Sequence, residues 1–217
     1  MNECGLKNNN KGFSLIELIV VVAIMSLMIG IISLSMSLLF GAEAKSGIQK
    51  LSAQLDEVKT GSMSRYTEDL TFIYVADPAS YDWAEKEGYY VVKQLKTMKK
   101  DTSTGMPGEV GLGVEHRYIC KDNVAVTFNY DDGSGTIASY PVVADGTTSF
   151  TIRYNRTTGL YDDVTVGATL LADGTIDSSV SSISGSVPSS ITMVNGAKTY
   201  EIDFIKETGK HRWYLVD

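Results

Sequence analysis

Cysteine, proline and positive charge are all scarce in this chain of 217 residues. Its two cysteines are Cys4 and Cys120, so at most one intramolecular disulfide can form. Only four prolines occur, and the first is Pro78. The formal net charge is -7, which argues against nucleic acid as the main partner, since a phosphate-binding face needs clustered lysine and arginine.

Charge of either sign is absent from residues 18–42. At about 1.5 Å per helical residue, this apolar run is long enough to cross a hydrocarbon core about 30 Å thick. Lys7 and Lys11 stand before it, so the positive-inside rule predicts a cytoplasmic N-terminus and an exported C-terminal part. Glu17 does not fit a plain anchor, because an unpaired carboxylate near the start of a membrane helix costs about 2.5 kcal/mol or more.

The residues around Glu17 form a recognisable motif. The sequence Gly12-Phe13-Ser14-Leu15-Ile16-Glu17-Leu18 resembles the cleavage and methylation motif of type IV pilins and pseudopilins. The resemblance covers about the first 55 residues. It implies that a membrane aspartyl peptidase cuts after Gly12, that Phe13 becomes the N-methylated first mature residue, and that Glu17 becomes the fifth.

The resemblance agrees with the physical reading of Glu17. Cleavage would create an amine at Phe13, four residues before Glu17, and such a cation from another subunit neutralises the carboxylate in lipid. The alternative is a simple signal anchor in which Glu17 reaches the headgroups. A cleavable secretory signal fits less well, because the apolar run is too long and no small-residue cleavage site ends it.

The sequence departs from many pilins in two respects, and the resemblance also implies where the protein is located. Cys4 lies in the leader, so a mature chain retains only Cys120 and lacks the disulfide-closed loop of many Gram-negative pilins, which favours a Gram-positive source. The proline that marks a melted segment in many pilin helices is also missing. Localisation is expected to be single-pass at the cell membrane, with a cytoplasmic leader, and in a surface filament after assembly.

The resemblance implies that a leader ends at Gly12, and with the changes of periodicity it divides the chain into four segments. They are residues 1–12 (leader), 13–42 (membrane and assembly helix), 43–62 (amphipathic continuation) and 63–217 (exported head). The continuation carries an apolar stripe at spacings of three and four, formed by Ile48, Leu51, Leu55 and Val58. The prediction is an α+β fold of the pilin kind, in which a long N-terminal helix packs on an antiparallel sheet.

Alternating apolar residues predict strands in the head. These are residues 71–76, 89–92, 124–130, 136–143, 149–154, 200–205 and 212–216, with hairpin turns at 131–135 and 207–210. Residues 96–113 are predicted to form a loop, and residues 173–190 an irregular loop or a weak edge strand.

No catalytic set stands out in the head. His116 and Cys120 are four apart on one predicted strand, hence on one side, but about 13 Å separates such side chains, too far to share a metal ion. His211 has no acidic or nucleophilic companion at useful spacing. Asp131-Asp132 and Asp162-Asp163 offer oxygen ligands of the kind calcium prefers, but a hairpin turn explains the first pair better. We expect no metal and no cofactor.

Two surface features also have ordinary explanations. Lys93, Lys96, Lys99 and Lys100 form the only basic cluster, which is read as a solvated face. Tyr81, Trp83, Tyr89 and Tyr90 suit an interface, but sheet packing accounts for them better.

The sequence therefore predicts a structural subunit of a type IV pilus or a related secretion or competence filament, without enzymatic activity. Its expected partners are other pilin subunits, a prepilin peptidase and methylase, the membrane and an assembly platform. The alternative is a signal-anchored extracellular binding domain or enzyme that does not polymerise. That alternative predicts an intact N-terminus at Met1 and a concave pocket with convergent polar groups.

Overall fold

A computed structural model describes residues 14–63, 67–100, 107–177 and 186–216, with side chains described outside 32–40, 67–68, 96–100 and 107–112. One helix, α1, precedes ten strands and a short 3-10 helix at Pro78–Ser80. Their bounds are α1 Leu15–Ser62, β1 Thr67–Val75, β2 Gly88–Lys100, β3 Pro107–Cys120, β4 Ala125–Asp131, β5 Ile137–Val142, β6 Ser149–Tyr154, β7 Tyr161–Val166, β8 Val187–Asn195, β9 Lys198–Ile205 and β10 Lys210–Val216. The predicted α+β class is confirmed.

The chain divides into two compact units, Met1–Leu39 and Phe40–Asp217. In the first unit, the large apolar side chains between Leu15 and Ile31 are exposed on every face of α1, at 47% to 78% of their full surface. Among residues with described side chains, a set that leaves out 32–40, no helix is long and apolar enough to cross a membrane.

The second unit contains two five-stranded antiparallel sheets. Sheet A has the order β3-β2-β1-β6-β7, and sheet B has the order β10-β9-β8-β4-β5. The predicted alternation in β4 is confirmed, since Val126 and Phe128 are buried and their neighbours are not. The predicted hairpins also form, with β4 pairing β5 and β9 pairing β10.

The core lies where α1 meets both sheets. Its helix stripe is Ala44, Ile48, Leu51, Leu55 and Val58, all completely buried, so the predicted stripe is confirmed. Burying an aliphatic side chain of this size stabilises the fold by about 1.5–3 kcal/mol. The rings of Phe128 in sheet B and Phe150 in sheet A stack with centroids 4.2 Å apart, which joins the two sheets inside the same core.

A smaller cluster lies on the opposite face of sheet A. Ile73 and Val92 alternate with residues of the main core and pack against Ala168 and Ile176. The segment after β7 therefore covers the outer face of β1 and β2.

The β6–β7 turn and the β9–β10 turn are in direct backbone contact. Gly209, in the β9–β10 turn, and Gly159, in the β6–β7 turn, both adopt positive φ, at 58° and 66°. A Cβ on Gly209 would strike the carbonyl oxygen of Gly159, and a Cβ on Gly159 would lie 2.7 Å from the sulfur of Met63. Glycine is therefore required at both positions by space as well as by backbone conformation.

Two loop predictions are wrong in part, and residues 101–106 and 178–185 of these predictions lie outside the described residues. Residues 96–100 and 107–113 belong to β2 and β3, whose pairing continues from Lys96 opposite Gly111 to Lys100 opposite Pro107. Residues 187–190 open β8, which lies between β9 and β4 and is not an edge strand. The polar, glycine-rich composition of both segments predicted loops. Both segments form strands because cross-strand pairing and burial override the weak intrinsic preference of such residues.

The solvated-face reading of Lys93 is also wrong. Its side chain is 2% exposed, and its Nζ lies 2.9 Å from Glu57 of α1 and 2.7 Å from Glu115 of β3. The hydrogen bond from Lys93 holds the pKa of the Glu115 carboxyl below its usual range. The side chains of Lys96, Lys99 and Lys100 lie outside the described residues.

We expect Lys93→Met to lower the free energy of unfolding by about 1–3 kcal/mol, because it leaves two carboxylates facing each other without their shared cation. Both glutamates are partly exposed, so the loss stays below that of a fully buried pair. Urea unfolding of the full chain in detergent measures the change. Lys121→Met, at an exposed position, is the control, and an equal effect of both substitutions would contradict this role.

Candidate functional site

The predicted processing site, Gly12–Phe13, directly precedes Ser14 in the sequence. Gly12 and Phe13 themselves lie outside the described residues. Ser14 directly precedes the helix, its carbonyl oxygen accepts a hydrogen bond from Leu18 N at 3.2 Å, and its Oγ accepts from Ile16 N at 3.4 Å. Ser14 is thus the N-cap of α1.

Glu17 is in the first turn of α1 and is exposed. The helix N-terminus carries a partial positive charge, so a carboxylate is favoured there. Among the described residues, Glu17 has no ion pair or hydrogen-bond partner. Ser14 and Glu17 have the three-residue spacing of a capping box. This local signal predicts the start of the helix at Ser14 independently of any role of Glu17 in assembly.

An apolar surface surrounds Glu17. Leu15, Ile16, Leu18, Ile19 and Val20 are each more than half exposed. An exposed apolar patch of this extent marks a surface that lipid or protein covers. The described start of α1 therefore combines one exposed carboxylate with exposed apolar side chains.

His116 and Cys120 do not form a site. The register places Cys120 opposite Tyr89 and Tyr118 opposite Tyr90, so the strand has one extra residue at Ile119. This β-bulge turns both Ile119 and Cys120 into the main core. His116 instead stacks on Trp83 at 3.8 Å, so the prediction that His116 and Cys120 share a side is wrong.

Cys120 is buried, with the residue 1% exposed. Burial raises the pKa of the thiol to about 12, and the nearby Glu43 carboxylate adds to this effect. Because the thiolate is the reactive form of cysteine, Cys120 is inert at neutral pH.

His211 does have companions, which sequence spacing could not reveal. Its Nε2 lies 2.9 Å from Ser52 Oγ and 3.9 Å from Asp56 Oδ1, both on α1. In a catalytic triad the acid binds the other ring nitrogen and the serine is open to substrate. Here both groups reach the same nitrogen and the histidine side chain is 1% exposed, so the arrangement joins α1 to β10 and has no triad geometry.

The aspartates of the acidic segments accept hydrogen bonds from backbone N–H groups in turns. Asp131 Oδ1 accepts from Gly133 N and Gly135 N, which confirms the predicted turn at 131–135. Asp132, Asp145 and Asp173 each precede a glycine, and each carboxylate accepts from the N–H and hydroxyl of the serine or threonine two residues on. These hydrogen bonds lower the pKa of all three carboxyls.

The aromatic residues pack mainly within the head. Tyr89 and Tyr90 are buried, which confirms the sheet-packing interpretation for them. Trp83 lies between the rings of Tyr81, Tyr90 and His116, at centroid distances of 3.8 to 5.3 Å. Because these three rings pack against the indole, the contacts of Trp83 are mainly within the head.

A cleft of about 280 Å³ opens beyond the end of β1, lined by Ile73, Asp77, Tyr81, Asp145 and Thr169 among others. The Asp77 carboxylate accepts from Ala79 N and Ser80 Oγ, and the Asp145 carboxylate accepts from Thr147. Both carboxylates therefore already accept hydrogen bonds within local turns.

The family model of the prokaryotic N-terminal methylation motif matches residues 7–33. No curated protein and no solved structure gives a significant match to the chain. The chain therefore carries the prepilin-type cleavage motif of type IV pilins and pseudopilins. This motif implies processing by a prepilin peptidase and assembly with other pilin subunits, and it marks structural proteins rather than enzymes.

The buried thiol provides a test of the head structure. In a chain with Cys4→Ser, which leaves Cys120 as the single thiol, we expect iodoacetamide to react at pH 8 at least about a hundredfold more slowly with the folded than with the urea-unfolded protein. Mass spectrometry of the alkylated fraction over time gives both rates. Equal rates would show that the thiol is neither buried nor held in its neutral form.

Proposed function

We propose that this protein is a structural subunit, a pilin or pseudopilin, of a type IV pilus or a related secretion or competence filament. The observation that carries the proposal is the methylation motif at residues 7–33, which runs directly into a helix with exposed apolar faces and a carboxylate in its first turn. Residues 1–12 are the leader, 13–42 the membrane and assembly helix, 43–62 its continuation and 63–217 the exported head.

Before assembly, the subunit crosses the membrane once. The uncharged run at 18–42 provides the span, and Lys7 and Lys11 keep the leader on the cytoplasmic side. Peptidase and methylase act there on the Gly12–Phe13 bond, and an assembly platform then transfers the subunit from lipid into the filament. Apolar contacts with neighbouring helices replace the contacts with lipid.

Assembly depends on a charge pair between subunits. Cleavage exposes the amine of Phe13, and Glu17 has no partner among the described residues of its own chain. Two opposite charges attract strongly when lipid or packed helices exclude water. Since a buried carboxylate without a partner is costly, this pairing selects one axial position of each helix against its neighbour.

Processing is tested by mass spectrometry of the chain expressed with a prepilin peptidase. We expect loss of residues 1–12 and one added methyl group on Phe13. Gly12→Leu is expected to leave the leader attached, because a side chain at this position obstructs the peptidase. Gly5→Leu, a matched change elsewhere in the leader, is expected to be cleaved normally. A wild-type chain that keeps Met1 and remains a monomer would support the signal-anchored alternative instead.

Assembly is tested by Glu17→Gln and Glu17→Ala. Both are expected to be cleaved normally but to enter filaments at least about tenfold less well, because loss of a buried ion pair is worth more than about 1.4 kcal/mol. Immunoblots of sheared filaments against whole cells measure incorporation.

The control is Glu43→Ala, which removes a carboxylate from the same helix outside the motif. It is expected to assemble normally. If the Glu17 variants assembled as well as this control, the charge pair would have no part in assembly.

A further inference from the structure

His211 joins the C-terminal hairpin to α1 at a point that water does not reach. The residue is on β10, directly opposite Phe204 of β9. Its Nε2 lies 3.1 Å from the carbonyl oxygen of Ser52 and 2.9 Å from the hydroxyl of the same residue. One ring nitrogen thus makes both contacts with the helix.

The two ring nitrogens differ in what they can bind. A carbonyl oxygen only accepts, so the neutral ring that fits this position carries its proton on Nε2 and donates to Ser52. Nδ1 is buried and has no hydrogen-bond partner among the described residues. A second proton would have to be placed on Nδ1, where the N–H group would be buried without an acceptor, and this costs about 1–3 kcal/mol.

The surroundings do not compensate for a positive charge. The aromatic ring nearest to it in the core is Phe204, with the two ring centroids 6.3 Å apart, and an aromatic ring supplies no acceptor for a second N–H. The charged groups near it are Asp56 and Lys59 on α1 and Lys210 and Arg212 on β10. Asp56 favours the charged ring and Lys59 opposes it, while burial, the largest effect, lowers the pKa of His211 below its usual value.

We propose that His211 makes the docking of the C-terminal hairpin on α1 sensitive to pH, so that proton uptake in mildly acidic conditions loosens this contact. The inference is independent of the filament function, since it concerns only residues of the head and the part of α1 that packs on it. In a filament subunit, this response would loosen the C-terminal hairpin of the head and leave the assembly motif unchanged.

The direction follows from proton linkage. When β10 leaves the helix, the ring enters water and regains its ordinary pKa near 6.5, so the open state binds more protons than the closed state. Closure is therefore fully favoured above about pH 7 and weakens as the pH falls through about 6.5. The lowered carboxyl pKa values of Glu115 and the turn aspartates affect stability only at lower pH, where those groups protonate.

The test is amide hydrogen exchange of the full chain in detergent at pH 7.5 and pH 5.5, corrected for intrinsic exchange rates. Protection factors in residues 50–58 and 210–216 are expected to fall roughly five- to tenfold between the two pH values. His211→Phe keeps a ring without a titrating group, and His211→Gln keeps a donor towards Ser52. In both variants the fall is expected to disappear.

The chain has only two histidines, so His116→Gln is a matched control and is expected to keep the full pH response. An unchanged wild-type protection factor, the same fall in the His211 variants, or loss of the fall in His116→Gln would each overturn the proposal. If neither His211 variant folds, NMR titration of the wild-type ring decides, and a midpoint at or above its ordinary value would overturn it.

Discussion

One stripe on one helix is the constraint on which the head depends. Ile48, Leu51, Leu55 and Val58 are completely buried and share a core with both sheets. Neither sheet can cover its own inner face, and sheet-to-sheet contacts such as the Phe128–Phe150 stack reach only part of it. Remove the stripe, and both sheets would expose apolar faces to water, which is why helix and strands form one cooperative unit.

Polar contacts around this stripe fix its position. Lys93 binds Glu57, Lys59 donates to the carbonyl of Thr208 at 2.8 Å, and His211 contacts Ser52. Apolar burial is non-directional and tolerates sliding of the helix along the sheets. Hydrogen bonds and ion pairs require specific distances, so these contacts select one helix register from those that burial allows.

Local patterns in the sequence predicted local structure well. The stripe, the β4–β5 turn and the β9–β10 hairpin each depend on periodicity or turn chemistry within a few residues, and all three are confirmed. The contacts of Lys93 and His211 could not be predicted because their partners on α1 are far away in sequence, with Ser52 159 residues from His211. The strand that contains His116 and Cys120 forms as predicted, but the bulge at Ile119 makes the predicted side of Cys120 wrong. One extra residue changes the side of the sheet that every later residue faces. The roles of Gly12, Phe13 and Glu17 stay predictions, although the motif that contains them is entirely local and is matched by the family model.

The contact between Gly159 and Gly209 decides where the head tolerates insertions. Because these two hairpin turns meet without room for a Cβ, an added residue in either would push the other turn and the end of α1 away. The β4–β5 turn is the opposite case, since a Cβ on Gly135 would meet nothing within 4 Å. An epitope tag or a cysteine for fluorescent labelling belongs at that turn, where a marker is compatible with the core that both sheets share.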